Sequence, residues 1–329
     1  GAQLIELGNE KLRWQQKMNY NIGMDADFFG RRLTLSGEIY LETTNGLISS
    51  VNLPLSNGFS SYIDNIGKLE NKGFEARATY FIIRDRAKNF TWSVSATVMH
   101  NRNKIVSLSE ALKEAQKELE NVVAAIPNRL YKEGYATNTI WVVPSLGIDP
   151  STGKEIYLDN EGNPTLTWSP AYLTNVGIDE PKYQGSVSSL FRYKNLSVNL
   201  AFSYRTGGQM YNSTLIEKVE SSNYQYNMDA RVYNSRWREP GDQAAFKGLL
   251  VTTPTYKTGR FVQNESTFQL RNVNVQYDFS KALLKKLGVQ SSYVAANMAD
   301  VFYISTVKRE RGTSYPFSRQ LSLTLGVVF

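Results

Sequence analysis

The most informative feature of this sequence is what it contains little of. Its 329 residues include no cysteine, which excludes disulfide bonds, thiolate metal sites and a cysteine nucleophile. A single histidine, His100, makes imidazole-based metal sites and serine–histidine catalysis poor hypotheses. No apolar run approaches the roughly 18–20 residues of a membrane-spanning helix. We therefore predict no catalytic residue, no metal ligand and no cofactor.

Strong clustering of charge is also lacking. Lysine and arginine number 37 against 30 aspartates and glutamates, giving a net charge of +7. A nucleic-acid interface requires a basic stripe or patch, and these charges are scattered, so nucleic acid is not predicted as a partner. A hydrophobic fraction of 41% with 12% aromatics is too apolar for a disordered chain.

Alternation of apolar and polar residues is the strongest pattern that is present. Every second residue from Met18 to Phe28 is apolar, and Asn, Asp or Gly stands between them. The same period of two recurs along the chain, which predicts β-strands with one apolar and one polar face. The predicted strands are 18–28, 33–42, 74–82, 90–98, 187–193, 196–205, 273–279, 289–302 and 321–329.

The lengths of these strands and of their connections favour a membrane protein. Many of the roughly nine strands exceed the usual 5–6 residues of soluble domains and match the roughly 9–11 needed to cross a bilayer. Short turns near Gly30, Arg86, Lys194 and 280–288 alternate with long loops. The predicted loops are 43–69, 104–182, 206–267 and 303–318. Outer-membrane barrels show this asymmetry, whereas a soluble β-sandwich does not require it.

The predicted fold class is accordingly all-β, a transmembrane antiparallel β-barrel with long extracellular loops. If the last strand ends at Phe329 in the periplasm, nine strands place residue 1 on the extracellular side. Barrels of this type have an even strand number, and open sheet edges are not tolerated in lipid. Residues 1–329 are therefore interpreted as the C-terminal part of a larger barrel in the outer membrane. Any targeting signal is expected outside this piece.

Two features of the long loops are interpretable. Residues 109–123 predict a surface helix that begins at Ser109 as N-cap and either covers the barrel mouth or contacts a partner. Its apolar residues at helical spacing are Leu112, Ala115, Leu119 and Val122. Asp159, Glu161 and Asn163 favour a structural turn over a calcium site, because the glycine is not where an EF-hand loop has it.

Aromatic and amide side chains are concentrated in the loop 206–267. Such rings stack on sugars and such amides bond hydroxyls, but they serve equally for peptides, for a partner interface or for loop packing. The residues predicted to contact substrate or a lid are Trp141, Tyr211, Asn212, Tyr224, Tyr226 and Trp237. His100 shares the parity of the apolar residues Val94 and Val98, so we predict a place in an aromatic girdle rather than catalysis.

Several motifs occur in an order that is informative together. The most specific stretch is 58–75, with GFSSY followed by NIGKLENKGFE; the others are GNEKLRW (8–14), GIDPSTG (147–153), PKYQG and FRYKN (181–195), RWREPGD (236–242), FQLRNV (268–273) and YPFSR (315–319). Together they resemble the C-terminal half of SusC-type TonB-dependent outer-membrane transporters over nearly the whole chain. The family's "NLF" appears here as NMADVF (297–302), and the helix at 109–123 is not a family feature.

This resemblance implies a barrel of about 22 strands with a plugged lumen. It implies a SusD-like surface lipoprotein as partner, and energy supplied by TonB–ExbB–ExbD through a plug and an N-terminal part outside this chain. The ligand would be an oligosaccharide or a peptide, and the outer wall would contact outer-membrane lipid and lipopolysaccharide. An outer-membrane hydrolase and a soluble glycan-binding β-domain remain the alternatives, although no nucleophile or acid pair supports an enzyme.

Overall fold

A computed structural model of the chain describes residues 8–52, 61–223, 225, 227–308 and 319–329. Its strands are β1 (Gln16–Phe28), β2 (Leu33–Asn52), β3 (Ser61–Asp85), β4 (Phe90–Leu108), β5 (Thr139–Val142), β6 (Ser145–Ile148), β7 (Glu155–Leu158), β8 (Pro164–Thr165), β9 (Thr174–Ile178), β10 (Tyr183–Tyr193), β11 (Leu196–Tyr211), β12 (Val262–Asp278), β13 (Ser291–Ser305) and β14 (Leu321–Val328). The helices are α1 (Glu110–Glu120), α2 (Ser213–Leu215), α3 (Arg231–Asn234) and α4 (Lys281–Leu287). Single turns of 3₁₀ helix occupy Pro170–Tyr172 and Gly259–Phe261, and a π-helical turn occupies Ile216–Glu220.

Nine long strands form one antiparallel sheet, which we call the wall. Its order is β1-β2-β3-β4-β10-β11-β12-β13-β14, so every wall strand pairs with its nearest wall neighbours in sequence. The nine predicted strands and their meander order are confirmed. The connections at 29–32, 86–89 and 194–195 are short turns, as predicted. The segment 279–290, predicted as a fourth short turn, instead contains the helix α4.

The register of the wall separates apolar from polar side chains across all of its strands. Directly opposed residues on neighbouring strands lie on the same face of a sheet. One row crossing the wall is Ala26, Leu35, Ala78, Ala96, Val187, Phe202, Leu270 and Phe302. The adjacent row is Asp25, Ser36, Arg77, Thr97, Ser186, Ser203 and Gln269. We call these two sides the apolar face and the polar face.

Aromatic rings mark both ends of the apolar face. Near the short turns, Phe90 packs against Phe191 with 5.3 Å between ring centroids. Near the long loops, the His100 ring lies 5.8 Å from Phe74 and 5.3 Å from Tyr183, which is the girdle position predicted for His100. The ten residue steps from Phe90 to His100 along β4 span about 33 Å, which a strand tilt of about 40° reduces to about 25 Å. That is the height of the apolar band of outer-membrane barrels.

The wall strands extend beyond this band on the loop side, so the predicted loop 43–69 is wrong in extent. β2 continues to Asn52 and β3 begins at Ser61. Gly46 has a φ of 61°, and the pairing register shifts between Asn45 and Leu47. A bulge of this kind adds one residue and reverses the inward–outward parity, which ends the alternation without ending the strand.

The other predicted long loops are also shorter than expected, because β4, β11, β12 and β13 all run past the end of their regular alternation. Gly67 lies where the extended part of β3 runs close to β4, and this close approach requires glycine. It has a φ of 142°, and a Cβ there would lie 2.0 Å from the carbonyl oxygen of Ser107 on β4. Only glycine allows the two backbones to approach this closely.

Most buried apolar side chains lie in the connections 109–182 and 212–261, which together we call the loop cap. α1 confirms the predicted helix, and Ser109 accepts a hydrogen bond from the backbone N–H of Leu112, as an N-cap does. Two small sheets, β5-β9 and β6-β7-β8, lie in the cap. One cluster of buried apolar side chains in the cap consists of Ile216, Val219, Val232, Phe246 and Phe261. In the part of the chain that is described, no helix combines the length and apolarity needed to cross a bilayer.

Candidate functional site

The polar face of the wall carries a cavity of about 660 Å³ that is lined by both acidic residues and arginines. Its acidic residues lie on the first three strands, and its arginines lie on β3, β11 and β12. The charged lining residues are Asp25, Glu38, Glu75, Arg77, Arg205 and Arg271. Opposite charges across one concave surface can bind a ligand that itself carries both signs.

Two of the acidic residues that line the cavity repel each other. Glu38 on β2 lies directly opposite Glu75 on β3, and like charges at that position destabilise a sheet. Glu38 accepts a hydrogen bond from Asn21 at 3.4 Å. Neither glutamate forms an ion pair with any of the described cations. Such an uncompensated pair is a place where a cationic ligand group would relieve repulsion.

Two of the three arginines of the cavity are held by serine hydroxyls, whereas Arg205 lies 4.0 Å from Glu265. Arg77 Nε donates to Ser95 Oγ at 3.2 Å, and Arg271 Nε donates to Ser203 Oγ at 2.9 Å. Neither guanidinium forms an ion pair within the described residues. Because each Nε is fixed by a neutral partner, the positive charge stays available to an anionic ligand group.

A buried ion cluster joins the two halves of the loop cap. Arg260 Nη2 lies 2.7 Å from Glu220 Oε1 and 3.0 Å from Glu155 Oε2, and all three side chains are almost fully buried. Burial alone would lower the pKa of Arg260, but the two carboxylates hold that pKa above its ordinary value. Lys247 Nζ lies 3.9 Å from Glu220 and donates to the carbonyl of Thr253, and burial lowers its pKa.

Lys257 connects the second segment of the cap, 212–261, to the end of α1 in the first segment. Its side chain is fully buried, and its Nζ donates to the carbonyl oxygen of Glu120, the last residue of the helix, at 3.4 Å. An ammonium group is favourable at a helix C-terminus because of the helix dipole. Burial lowers the pKa of Lys257. The cap is therefore tied together by buried charges as well as by its apolar cluster.

Two of the predicted contact residues come together in one cavity. Trp141 and Tyr211 both line a space of about 390 Å³ in the loop cap, which Arg129 and Asp179 also line. Trp141 is only 4% exposed, with Lys132 Nζ 4.4 Å from its ring centroid. Most of the Trp141 ring is therefore committed to packing.

Tyr211 and Asn212 make structural contacts at the end of β11. The Tyr211 hydroxyl donates to the carbonyl of Ala125 at 2.6 Å, and burial raises its pKa. Asn212 is buried, its Nδ2 donates to Gln263 Oε1 at 2.9 Å, and its Oδ1 accepts from the N–H of Leu215 as the N-cap of α2. Substrate contact by either residue stays a prediction.

Trp237 lies apart from this cavity. Its Nε1 donates to the carbonyl of Pro150 at 2.8 Å, and its ring lies so close to Gly153 that an added Cβ would be 2.5 Å away. Tyr224 and Tyr226 lie outside the described residues. The structure thus brings Trp141 and Tyr211 together and places Trp237 elsewhere in the cap.

The turn considered for calcium is closed by its own backbone. Asp159 Oδ1 accepts from the N–H groups of Glu161 at 2.9 Å and Asn163 at 2.8 Å. The hydrogen bond from Asn163 lowers the pKa of the Asp159 carboxyl. Among the described residues, no group of three potential ligands is arranged to hold a metal ion.

Nine antiparallel strands with one apolar and one polar face, bounded by aromatic rings and carrying long loops at one end only, define part of a transmembrane β-barrel. The particular family follows from sequence comparison. The chain belongs to the TonB dependent receptor-like, beta-barrel family, whose model matches residues 1–238. This is a family of receptors and transporters rather than of enzymes.

Individual relatives agree with this assignment. The chain is 27% identical over 309 residues to TonB-dependent receptor P3 of Formosa agariphila, covering 88% of this chain and 30% of the relative. It is 25% identical over 347 residues to TonB-dependent receptor SusC of Bacteroides thetaiotaomicron, covering 97% of this chain and 32% of the relative. The chain thus spans about a third of the length of these curated relatives.

Solved structures show the same fold. The RagAB peptide transporter matches 93% of this chain and 34% of its own chain with a TM-score of 0.77 at 24% identity. The RagAB peptide importer in its open-open state matches 98% of this chain and 36% of its own with a TM-score of 0.79 at 22% identity. At these identities the likeness is one of fold.

Proposed function

We propose that this chain forms the C-terminal part of the barrel of an outer-membrane importer that takes up a polar oligomer through its lumen. The observation that carries the proposal is the separation of faces across the whole wall. The apolar face contacts lipid, the polar face lines the lumen, and the long loops are extracellular. We further propose that the remaining strands and a plug close the barrel, that the C-terminus is periplasmic, and that TonB with ExbB and ExbD supplies the energy.

The proposed partner is a SusD-like surface lipoprotein that covers the loop cap. The relative named SusC and the structural neighbour titled RagAB support this pairing. The cap also exposes large apolar side chains, including Leu250 at 95% and Tyr233 at 69%. Exposed apolar groups at one end of a barrel are suited to burial by another protein.

Of the two substrate classes, the structure favours an oligopeptide over a neutral oligosaccharide. The case for sugars depended on loop aromatics, and Trp141, Tyr211 and Trp237 are engaged in packing or backbone hydrogen bonds. The lumen cavity instead offers acidic residues facing arginines. A peptide with a free ammonium and a free carboxylate matches both sides, and a neutral sugar matches neither. The neighbour titled a peptide transporter agrees with this choice.

The test is uptake by intact cells that express the full-length protein. Fluorescent oligopeptides of about six to ten residues are compared with maltooligosaccharides of similar mass, in cells with and without a functional TonB. We expect TonB-dependent uptake of peptides only. The double variant Glu38→Gln/Glu75→Gln should reduce that uptake by about tenfold, since each exposed charge contact is worth roughly 0.5–1 kcal/mol.

The matched control is Glu110→Gln/Glu114→Gln on the exposed side of α1, which removes two carboxylates paired with Lys113 and Lys117 outside the lumen. Uptake by this variant should equal that of the unmodified protein. Uptake of the sugar but not the peptide would replace the proposed substrate class. Peptide uptake that persists without TonB would contradict active import.

A further inference from the structure

β4 extends beyond its pairing with β10 just past the aromatic residues at the long-loop end of the apolar face. β10 pairs with β4 only as far as Gln184 opposite Met99, whereas β4 continues to Leu108. A cavity of about 620 Å³ lies beside this extension of β4 and is closed by loop-cap residues around Tyr135 and Asn175. We call this cavity the notch.

Basic side chains dominate the outer side of the notch. Arg102 and Lys104 follow His100 at two-residue intervals on β4, so they continue the apolar-face side of that strand. Lys182 precedes β10, and its carbonyl oxygen lies 2.6 Å from His100 Nδ1. All three cationic side chains are exposed, and none forms an ion pair with a carboxylate among the described residues.

The nearby acidic groups do not neutralise these cations. Glu70 lies opposite Lys104 in the register of β3 and β4, but the pair is not within ion-pair distance. Glu180 lines the notch, and its carboxylate accepts a hydrogen bond from Asn101 Nδ2 at 3.2 Å. Lys72, directly opposite Arg102, adds a further exposed cation on the same face. The net charge around the outer side of the notch is therefore positive.

The distance of these cations from the aromatic girdle indicates which layer of the membrane surrounds them. At about 3.3 Å per residue, Arg102 and Lys104 lie about 7 and 13 Å beyond His100 along β4. Aromatic girdles of barrels mark the interface between hydrocarbon and head groups. The basic groups therefore lie at the level of the outer-leaflet head groups, directly above the apolar face. This placement depends on the proposed function, which sets the loop end of the wall outside the cell.

We propose that the notch binds the phosphorylated sugar head group of an outer-leaflet glycolipid. Arg102, Lys104 and Lys182 contact its phosphate oxygens through charge-assisted hydrogen bonds. Asn175 lines the same cavity and is exposed, so its amide is available to sugar hydroxyls. The acyl chains descend along the apolar face below His100. A soluble sugar phosphate shares the head-group chemistry, but the continuity of the notch with the apolar face selects the lipid.

The test measures lipid binding by the full-length protein in phosphatidylcholine nanodiscs. Three probes are compared by native mass spectrometry: bisphosphorylated lipid A, fully dephosphorylated lipid A and soluble glucose 1-phosphate. We expect only bisphosphorylated lipid A to be retained. The triple variant Arg102→Ala/Lys104→Ala/Lys182→Ala should lose at least about tenfold in affinity, because it removes all three charge-assisted contacts to the phosphates.

The control variant Arg86→Ala/Lys88→Ala/Lys194→Ala removes the same number of charges at the short turns, outside the notch. It should bind bisphosphorylated lipid A like the unmodified protein. Should the triple variant fail to fold, the milder variant Arg102→Gln/Lys104→Gln keeps most of the side-chain bulk. Its affinity for bisphosphorylated lipid A should still fall several-fold. Equal affinity in the notch variants, equal affinity for the dephosphorylated lipid, or equal binding of glucose 1-phosphate would each overturn the proposal.

The same preparations separate this inference from the proposed function. Membrane fractionation and peptide uptake are measured on the cells that supply the protein. Normal outer-membrane insertion and uptake together with unchanged lipid binding in the notch variants would refute the glycolipid site alone. Absence of the protein from the outer membrane would refute the proposed function.

Discussion

Arg260 and Glu220 form a buried ion pair with 2.7 Å between Nη2 and Oε1, and the same guanidinium nitrogen lies 3.0 Å from Glu155. Glu155 comes from the connection between β4 and β10, whereas Glu220 and Arg260 come from the connection between β11 and β12. One arginine thus fastens two long loops together. Among the described residues Glu155 has no other cation within ion-pair distance and Glu220 has only Lys247 at 3.9 Å, so both buried carboxylates depend on Arg260.

Arg260→Ala should loosen the loop cap without unfolding the wall. Removing one partner of a buried ion pair costs about 3–5 kcal/mol, since Glu155 stays buried and unpaired and Glu220 keeps only the more distant Lys247. Hydrogen exchange followed by mass spectrometry should show faster exchange at 155–158 and 216–220, with unchanged protection in β10 and β11. The control is Arg205→Ala, whose carboxylate partner Glu265 is 4.0 Å away and whose side chain is 46% exposed. Unchanged exchange in Arg260→Ala would contradict the role of this cluster.

Arginine substitutions at adjacent positions of β11 should separate the two faces of the wall. Leu200 is opposed by Ser189 and Val273 on the apolar face, and Asn199 by Leu190 and Asn274 on the polar face. Leu200→Arg should cost roughly 2–4 kcal/mol at the bilayer midplane, whereas Asn199→Arg, on the lumen side, should cost much less. Urea titration of folding into lipid vesicles measures both. Equal and small effects would argue against a membrane-spanning wall.

A methyl group added at Gly185 should destabilise the pairing of β10 with β4. A Cβ there would lie 2.0 Å from the carbonyl oxygen of Thr97 and 2.8 Å from the Tyr204 hydroxyl, which itself donates to that carbonyl. Relief requires backbone movement, for which overpacking costs of about 1–3 kcal/mol are typical. Gly37→Ala is the control, because its Cβ would meet nothing closer than 3.5 Å. Folding titrations should give Gly185→Ala a clearly lower free energy of unfolding than Gly37→Ala. Equal free energies would show that the backbone of the wall adjusts to the added methyl group without cost.

Acid should open the segment around α3. Hydrogen bonds from Arg231 hold the pKa of Asp229 below its ordinary value of 3.8. Because the folded pKa is depressed, the stabilisation is complete above pH 3.8 and is lost as the pH falls below that value. Pepsin cleavage beside the exposed Tyr233 should therefore accelerate from about pH 4 to pH 2 more steeply than the activity of pepsin itself.

Asp229→Asn is the control for this acid effect, because it removes the titrating group. Its cleavage should follow the activity of pepsin alone over the same range. Parallel curves for the two proteins would show that the Asp229–Arg231 pair does not hold the segment.

None of the residues predicted from the sequence to contact substrate lines the charge-lined cavity on the polar face. Glu38 and Glu75 each fall on the polar parity of a predicted strand, but the pattern within one strand does not say which residue of the next strand lies opposite. Register decides that, and here it places the two carboxylates side by side. The charge-lined cavity therefore went unrecognised, although listing the charged residues of polar parity would have indicated it. The loop aromatics were selected by residue type, and type does not report whether a ring such as Trp141 is buried.

The sequence alone determined the nine-stranded meander, the two faces, the short turns, the Ser109-capped helix and the position of His100, because each depends on local period or local chemistry. Only the tertiary structure decided the strand ends, the charge-lined cavity, the notch and the packing of the loop cap. A bulge at Gly46 reverses parity while pairing continues, so local pattern cannot mark where β2 ends. Arg260, Glu155 and Glu220 are distant in sequence, and their pairing arises only when long loops close over the wall. Contacts of that kind are set by register and loop closure, which no local period encodes.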